Sequence, residues 1–334
     1  MTLSPGGNPA ADADDWLARA AFDDRGRALG HDLYTMTRWL PDADWPDPVQ
    51  EGFRHAASRG LARQDGGHPV RKWLQLRLNA WRRRRVVDAD VTPAFLARID
   101  VPDCPVLRVR LTRRERRDTD ASVDRLNNDG AYAVGNLAVM SVAANRAKGA
   151  RSFDEVLALA HAQAPTAGLD PAQWLRLAAL MLGPCFADRP QDAPDIPMPV
   201  PLPNGTARLV TQQVQFLFAT LADRPPGKNR LVRDFRRLCP DDASERRLRV
   251  LADVVHEGLK GLDHPWDVWL REEAMAALHA WRASLPPERW FQLGDTCISL
   301  LGGARLGTRA LDAWHLPTGG HDASAIDQAR RQGP

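Results

Sequence analysis

The spacing of apolar side chains predicts a chain that is mainly α-helical. Before residue 100, apolar residues return every three or four positions in three segments, at about residues 15–40, 49–63 and 69–85. This spacing places one side of each helix against a core. The clearest apolar stripe lies in the third segment and consists of Trp73, Leu74, Leu76, Leu78 and Trp81. Residues 1–14, rich in Gly, Pro, Ala and Asp, predict a loose tail.

A proline-rich segment predicts a domain boundary. Seven prolines lie between Pro184 and Pro203, and because proline disrupts helix interiors, residues 184–204 predict an extended linker. The helical domain before it would span residues 15–183, with further helices at about 152–162 and from Asp170 onward. An all-helical C-terminal domain is expected at 205–318, followed by a disordered tail at 319–334. Its predicted helices are 206–222, 228–238, 243–260, 265–284 and 287–302.

Between these helical regions the pattern changes to that of short strands. Residues 106–111, 122–126 and 137–140 are rich in aliphatic or alternating residues, which is typical of strands. The sequence Asn-Asn-Asp-Gly at 127–130 favours a turn. Ser141 is a good N-cap for a helix that reaches Lys148. The predicted order is strand, loop, strand, helix, so the fold class is mainly α with a small α+β module at about 104–150.

Composition indicates a folded, non-membrane protein. The chain has 334 residues, of which 26% are charged and 44% hydrophobic, and this mixture excludes wholesale disorder. No apolar run approaches the roughly 20 residues that span a bilayer. The four cysteines are scattered without a CxxC pair, so neither a disulfide scaffold nor structural zinc is expected, and Cys104 is expected to be a small buried residue. A cytoplasmic location is expected.

The positive charge is concentrated in one segment. Residues 71–117 hold fourteen Arg and Lys against five Asp and Glu, a net of +9, which leaves −6 for the rest of a chain whose total is +3. Such a segment attracts phosphates, and arginine binds them with a planar, permanently charged fork. The alternative is a solvated helix face in a chain that uses arginine throughout, since only four residues are lysine. Charge alone does not decide between the two.

One stretch, residues 122–149, resembles a known family. It contains Asp124 after a strand-like start, Asn136-Leu137 at a second strand, and Asn145-Arg146-x-Lys148-Gly149 on the following helix. In order and spacing these residues resemble the HNH endonuclease family, whose fold is the ββα-metal unit. The form Ser-Val-Asp-Arg-Leu-Asn-Asn-Asp-Gly-x-Tyr looks like a branch common in phage and bacterial genes. The resemblance covers about 30 of the 334 residues.

The resemblance implies roles for individual residues. Asp124 and Asn145 would hold a divalent metal, Mg²⁺ or Mn²⁺, which neutralises a phosphate and stabilises a leaving oxygen. Asn136 would brace the loop. The family's general-base histidine is replaced by Arg125, which cannot accept a proton in a protein but can stabilise transition-state charge. Tyr132 and His68 are the remaining candidates for a base.

A set of basic residues is expected to contact a nucleic-acid backbone. Part of the set comes from the +9 segment and part from the helix of the resembling stretch. The candidates are Arg71, Lys72, Arg82, Arg83, Arg84, Arg85, Arg113, Arg114, Arg146 and Lys148.

Three functions follow from these features. The first is an HNH-like, metal-dependent nuclease that hydrolyses DNA and is slow or inactive because of Arg125. The second is a non-catalytic nucleic-acid-binding protein that keeps the ββα fold. The third is a helical interaction protein, in which Asp124 and Asn145 only tie a loop to a helix end. In each case the C-terminal domain is expected to bind a protein partner or to position a substrate.

Overall fold

The computed structural model describes residues 9–201 and 209–300, and the fold is mainly helical with one small sheet, as predicted. The first helices are α1 (Pro9–Met36), α2 (Asp47–Ser58), α3 (Gly67–Arg82) and α4 (Pro93–Ile99). Strands β1 (Ala121–Arg125) and β2 (Leu137–Ser141) follow. The remaining helices are α5 (Val142–Lys148), α6 (Phe153–Ala160), α7 (Pro171–Cys185), α8 (Val210–Leu221), α9 (Pro225–Phe235), α10 (Asp242–Leu259), α11 (Glu272–Arg282) and α12 (Pro287–Leu300).

The N-terminal end of the described chain differs from the predicted loose tail. Helix α1 begins at Pro9, so residues 9–14 of the predicted loose tail are helical. Residues 1–8 and 301–334, which include the predicted tail at 319–334 and the end of the predicted C-terminal domain, lie outside the described residues. No helix in the described part of the chain is long and apolar enough to cross a membrane.

The described residues form two compact units. The first contains residues 9–98 and 129–134, and the second contains 99–128, 135–201 and 209–300. In the first unit, α1, α2 and α3 share a core of apolar side chains. This core includes Leu29, Leu33, Val49, Phe53, Leu74 and Leu78.

The proline-rich segment does not separate these units. Helix α7 continues through Pro184 to Cys185, and Ile196, Met198 and Val200 are buried within the second unit. The backbone N–H of Met198 donates to Gln215 Oε1 at 2.8 Å, and Gln215 Nε2 donates to the Ile196 carbonyl at 3.1 Å. An extended, proline-rich backbone lacks partners of its own, and this glutamine of α8 supplies them.

The helices after residue 209 share the main core of the second unit. They bury aromatic and aliphatic side chains at helical spacing, and the largest are Phe218, Phe235, Trp269, Trp281 and Trp290. The turn at residues 104–109 belongs to the same unit, and Arg108 Nη1 there donates to Asp267 Oδ2 at 2.7 Å. This ion pair ties the segment before the sheet to the helices of the chain's second half.

The predicted strand at 106–111 is a tight turn instead. Arg108 has φ 57°, its N–H donates to the Cys104 carbonyl at 2.7 Å, and the Leu107 N–H donates to Cys104 Sγ at 3.4 Å. The alternating apolar residues of this segment therefore lie in a turn and not in a strand. Cys104 is buried, as expected, and its thiol donates to Ser141 Oγ at 3.4 Å.

The sheet and the helix after it follow the predicted order. Strands β1 and β2 are antiparallel, with a register that runs from Ala121 opposite Ser141 to Arg125 opposite Leu137. Every residue of β2 is buried, and the strand passes directly into α5. The N-cap is Ser141, whose Oγ accepts the Ala144 N–H at 3.2 Å. The sheet thus places β1 beside α5, where the predicted site residues lie.

Candidate functional site

Asn136 closes the base of the loop between the two strands. Its side-chain Oδ1 accepts the Asn127 N–H at 2.8 Å, and its Nδ2 donates to the Asn127 carbonyl at 3.0 Å. The Leu126 N–H donates to the Asn136 carbonyl at 2.8 Å, and Asn136 is fully buried. A buried asparagine that meets both backbone groups of one residue fastens two chain segments together. These hydrogen bonds brace the loop between the strands.

Arg125 holds the same loop. Consecutive residues of a strand point to opposite faces, so Arg125 and Asp124 diverge. The Arg125 Nη1 donates to the Asn128 carbonyl at 2.8 Å. The guanidinium is therefore engaged by the loop backbone in the place where the family has its general base.

Asp124 forms a buried ion pair with Lys148. Lys148 Nζ lies 3.0 Å from Asp124 Oδ2; the lysine side chain has no exposed surface and the aspartate side chain is 13% exposed. Lys148 was expected to contact a nucleic-acid backbone, but in the structure its ammonium points into the protein. Because both charges are removed from water, they depend on each other for compensation.

Asn128 is a site residue that sequence reasoning missed. Its Oδ1 accepts a hydrogen bond from Lys148 Nζ at 2.9 Å, and its Nδ2 donates to the Gly149 and Arg151 carbonyls at 3.2 and 3.4 Å. Asn128 therefore joins the end of the β1 loop to the end of α5. In the sequence Asn128 is one asparagine in the turn-forming run at 127–130, and a turn is sufficient to explain an asparagine there.

Asn145 meets the same face of β1 as Lys148. Its Nδ2 donates to Ser122 Oγ at 2.8 Å. Ser122 and Asp124 are two residues apart and share a strand face, while Asn145 and Lys148 are three apart and share a helix side. Strand β1 and helix α5 therefore meet through two side-chain contacts, Ser122 with Asn145 and Asp124 with Lys148.

The electrostatics of this contact are dominated by burial. Burial raises the pKa of Asp124 above its ordinary value, and the opposing attraction of Lys148 does not cancel the shift. The ionised form of Asp124 is therefore less stable in this contact than it would be in bulk water.

The oxygens of this contact suit a hard cation, but the lysine does not. The Asp124 carboxylate and the Asn128 amide oxygen are ligand types that Mg²⁺ and Mn²⁺ prefer. Lys148 already supplies a positive charge 3.0 Å from Asp124 Oδ2. With the lysine in place, the residues around Asp124 do not fit a second, divalent charge.

An exposed loop carries two of the four predicted phosphate contacts of the second unit, Arg113 and Arg114. Residues 113–118, which we call the arginine loop, are all exposed. Asp120 organises the loop from below: its carboxylate accepts the Thr112 hydroxyl at 2.6 Å and the Arg116 N–H at 2.8 Å. The hydroxyl is the main reason that the pKa of Asp120 is lowered. Arg114 and Arg116 have φ of 62° and 57°, so their conformation depends on this support.

The arginine loop adjoins the exposed side of α5. The Ala143 N–H in the first turn of α5 donates to the Asp118 carbonyl at 2.9 Å, and Arg146 Nη1 lies 3.1 Å from Asp118 Oδ1. Arg113 pairs with Asp100 at 2.7 Å. Arg113, Arg114 and Arg146 are therefore gathered on one surface. Arg116 and Arg117 join them there; the same arginine run contained them, although only the first two were singled out.

The other predicted basic residues belong to the first unit, on α3 and just after it. Arg71 pairs with Asp65 at 2.9 Å, and Lys72 is half-buried. Arg82 Nη2 donates to the Asp44 carbonyl at 2.8 Å, and Arg84 lies over the Phe22 ring at 5.0 Å. Arg83 is exposed and Arg85 is half-buried. Most of this group thus makes contacts within its own unit.

The two other candidate bases are also residues of the first unit. Tyr132 is buried, and its backbone forms an isolated bridge with Val87, while His68 lies in α3. Asp124 belongs to the second unit.

Comparison with known proteins does not add a relationship to this description. No protein family, curated protein or solved structure matches this chain.

Proposed function

We propose that this protein binds the backbone of DNA through the arginine loop on an HNH-like ββα module, without efficient hydrolysis. The observation that carries the proposal is the exposed, internally supported loop of four arginines beside α5. Arginine in such a position pairs with phosphates through two parallel hydrogen bonds. Because Asp120 already holds the loop backbone, less ordering is required when a ligand binds.

The residues of the ββα module favour binding over hydrolysis. Arg125 cannot accept a proton from water, and its guanidinium is engaged by the Asn128 carbonyl. Positioned general bases typically contribute about 10²–10⁴ in rate, so a site without one is slow. Asp124, the other central residue, is largely buried against Lys148.

Fluorescence anisotropy with a labelled DNA duplex at several salt concentrations tests the proposal. The variant is Arg114→Gln/Arg116→Gln, which breaks no ion pair within residues 9–201 and 209–300. Each lost phosphate contact lowers the slope of log K against log salt by about 0.9, so the expected loss is about 2. Affinity falls with it, in a manner that does not depend on DNA sequence.

A matched control separates the loop from net charge. Arg246 and Arg247 are exposed on α10 of the same unit, and Arg246→Gln/Arg247→Gln removes the same charge. This control is expected to retain the wild-type slope. Equal losses in both double variants would contradict a binding loop. No binding of DNA by the wild type at low salt would instead favour a helical interaction protein.

The second candidate is the metal-dependent nuclease. The observation in its favour is that Asp124 and Ser122, the partner of Asn145, share one face of β1, which packs on α5. Arg125→His restores the family's residue type, and nicking of supercoiled plasmid with Mg²⁺ or Mn²⁺ measures the result. New nicking that is lost again in Arg125→His/Asp124→Asn supports the nuclease; silence of Arg125→His supports the binding protein.

A further inference from the structure

The buried end of Lys148 occupies a cation site made of oxygens. Its Nζ lies 3.0 Å from Asp124 Oδ2 and 2.9 Å from Asn128 Oδ1, and the side chain has no exposed surface. These are one carboxylate and one amide oxygen, supplied by β1 and by the loop after it. The ammonium donates a hydrogen bond to Asn128 Oδ1 and pairs with Asp124 by charge, although Asp124 Oδ2 accepts no hydrogen bond of good geometry. Both oxygens are of the kind that a hard metal ion uses.

The neighbours of Lys148 hold it in this position. Its carbonyl accepts the Arg151 N–H at 3.0 Å, and Asn128 Nδ2 donates to the Gly149 carbonyl at 3.2 Å, so the end of α5 is fastened to the loop on both sides of the lysine. Arg125 binds the Asn128 carbonyl at 2.8 Å and secures the loop from the other face of β1. The lysine cannot leave Asp124 without breaking this arrangement or exposing a buried charge.

From this geometry we infer that Lys148 is the resident cation of the β1–α5 site and that it excludes Mg²⁺ and Mn²⁺ from Asp124. A divalent ion beside this carboxylate would be repelled by the ammonium, and at short range in a buried site such repulsion is weakly screened. The contact between β1 and α5 is then held together by a side chain. The inference does not rest on DNA binding by the arginine loop, and either can fail without the other.

Removal of the lysine charge tests the inference. In Lys148→Met, Asp124 loses its counter-ion and becomes available to a metal. Binding of Mn²⁺ to the full chain, followed by electron paramagnetic resonance and calorimetry, is expected to be at least about tenfold tighter than in the wild type. The added site is expected to disappear in Lys148→Met/Asp124→Asn.

A matched control removes a lysine from an exposed pair. Lys260 pairs with Glu257 at 2.7 Å, and both side chains are largely exposed. Lys260→Met is expected to gain no Mn²⁺ site. A folded Lys148→Met that binds no more Mn²⁺ than Lys260→Met would overturn the inference, because some other feature would then exclude the metal.

A measurement on the wild type keeps the test decisive if Lys148→Met does not fold. Mn²⁺ broadens the amide NMR signals of residues close to it. At millimolar Mn²⁺, residues 122–125 and 145–148 of the wild type are expected to keep their line widths. Selective broadening of these signals, together with its loss in Asp124→Asn, would show a metal at the site and overturn the inference.

Discussion

Asp120 and Asp124 lie four residues apart in the sequence but in opposite environments. Asp120 supports the arginine loop, where a hydroxyl and backbone N–H groups lower its pKa. Asp124 lies in the contact between β1 and α5, where burial raises its pKa despite the neighbouring Lys148. The first carboxylate is stabilised as an anion by hydrogen bonds near water, whereas burial of the second favours its neutral form and the neighbouring cation offsets only part of that effect.

This difference assigns separate tasks to the two regions. The arginine loop presents positive charge outward on a prepared backbone, which suits an anionic ligand that comes and goes. In the β1–α5 contact the charges of Asp124 and Lys148 are buried, and their attraction holds the strand to the helix. Residue types that suit catalysis can therefore hold two elements of the fold together when one charged residue is buried against another.

The largest expected effect is on the buried pair. Lys148→Met leaves the Asp124 carboxylate buried without its cation, and breaking a buried pair in this way typically destabilises a protein by about 3–5 kcal/mol. Urea denaturation measures the free energy of unfolding, with Lys260→Met as the exposed comparison. Similar free energies of unfolding for the two variants would show that the buried pair contributes no more to stability than the exposed pair.

A smaller effect is expected where the loop is braced. Asn136→Ala removes both hydrogen bonds from the Asn136 side chain to the half-buried backbone of Asn127, at a cost of about 1–3 kcal/mol. The same denaturation experiment applies, and Asn79→Ala on the exposed face of α3 is the control. Destabilisation no greater than that of the control would mean that water replaces the side chain of Asn136.

The finest test uses the opposite pKa shifts. The lowered pKa of Asp120 contributes stability that is present above the ordinary Asp pKa and is lost as pH falls through the lowered value. The raised pKa of Asp124 contributes stability that is present below the ordinary Asp pKa and is lost as pH rises through the raised value.

The two asparagine variants should therefore change the pH profile in opposite directions. Asp120→Asn is expected to flatten the loss of stability on acidification, and Asp124→Asn to flatten the loss as pH rises above roughly 4. The free energy of unfolding, followed across the acid range for each variant, gives the two slopes. Changes of the same sign in both would show that the two carboxylates do not differ in environment as described.

Part of the site could be predicted because its determinants are local. Ser141 caps α5, the turn-forming run at 127–130 lies between two strands, and Asn136 braces the loop, all through contacts between residues close in sequence. The exposed arginine run at 113–117 was likewise visible as charge. The placement of Arg125 against a loop carbonyl and the central role of Asn128 were not, since both depend on how the loop folds back.

The amino-acid sequence by itself determined the helical character of the chain, the strand, loop, strand, helix order and the concentration of positive charge. Periodicity and turn chemistry act over a few residues, so a linear pattern records them. Only the tertiary structure decided that Lys148 faces inward to Asp124, that the proline-rich segment packs on α8, and that the compact units divide elsewhere. Burial is the sum of contacts between distant segments, and it turned Lys148 away from solvent and toward another charge.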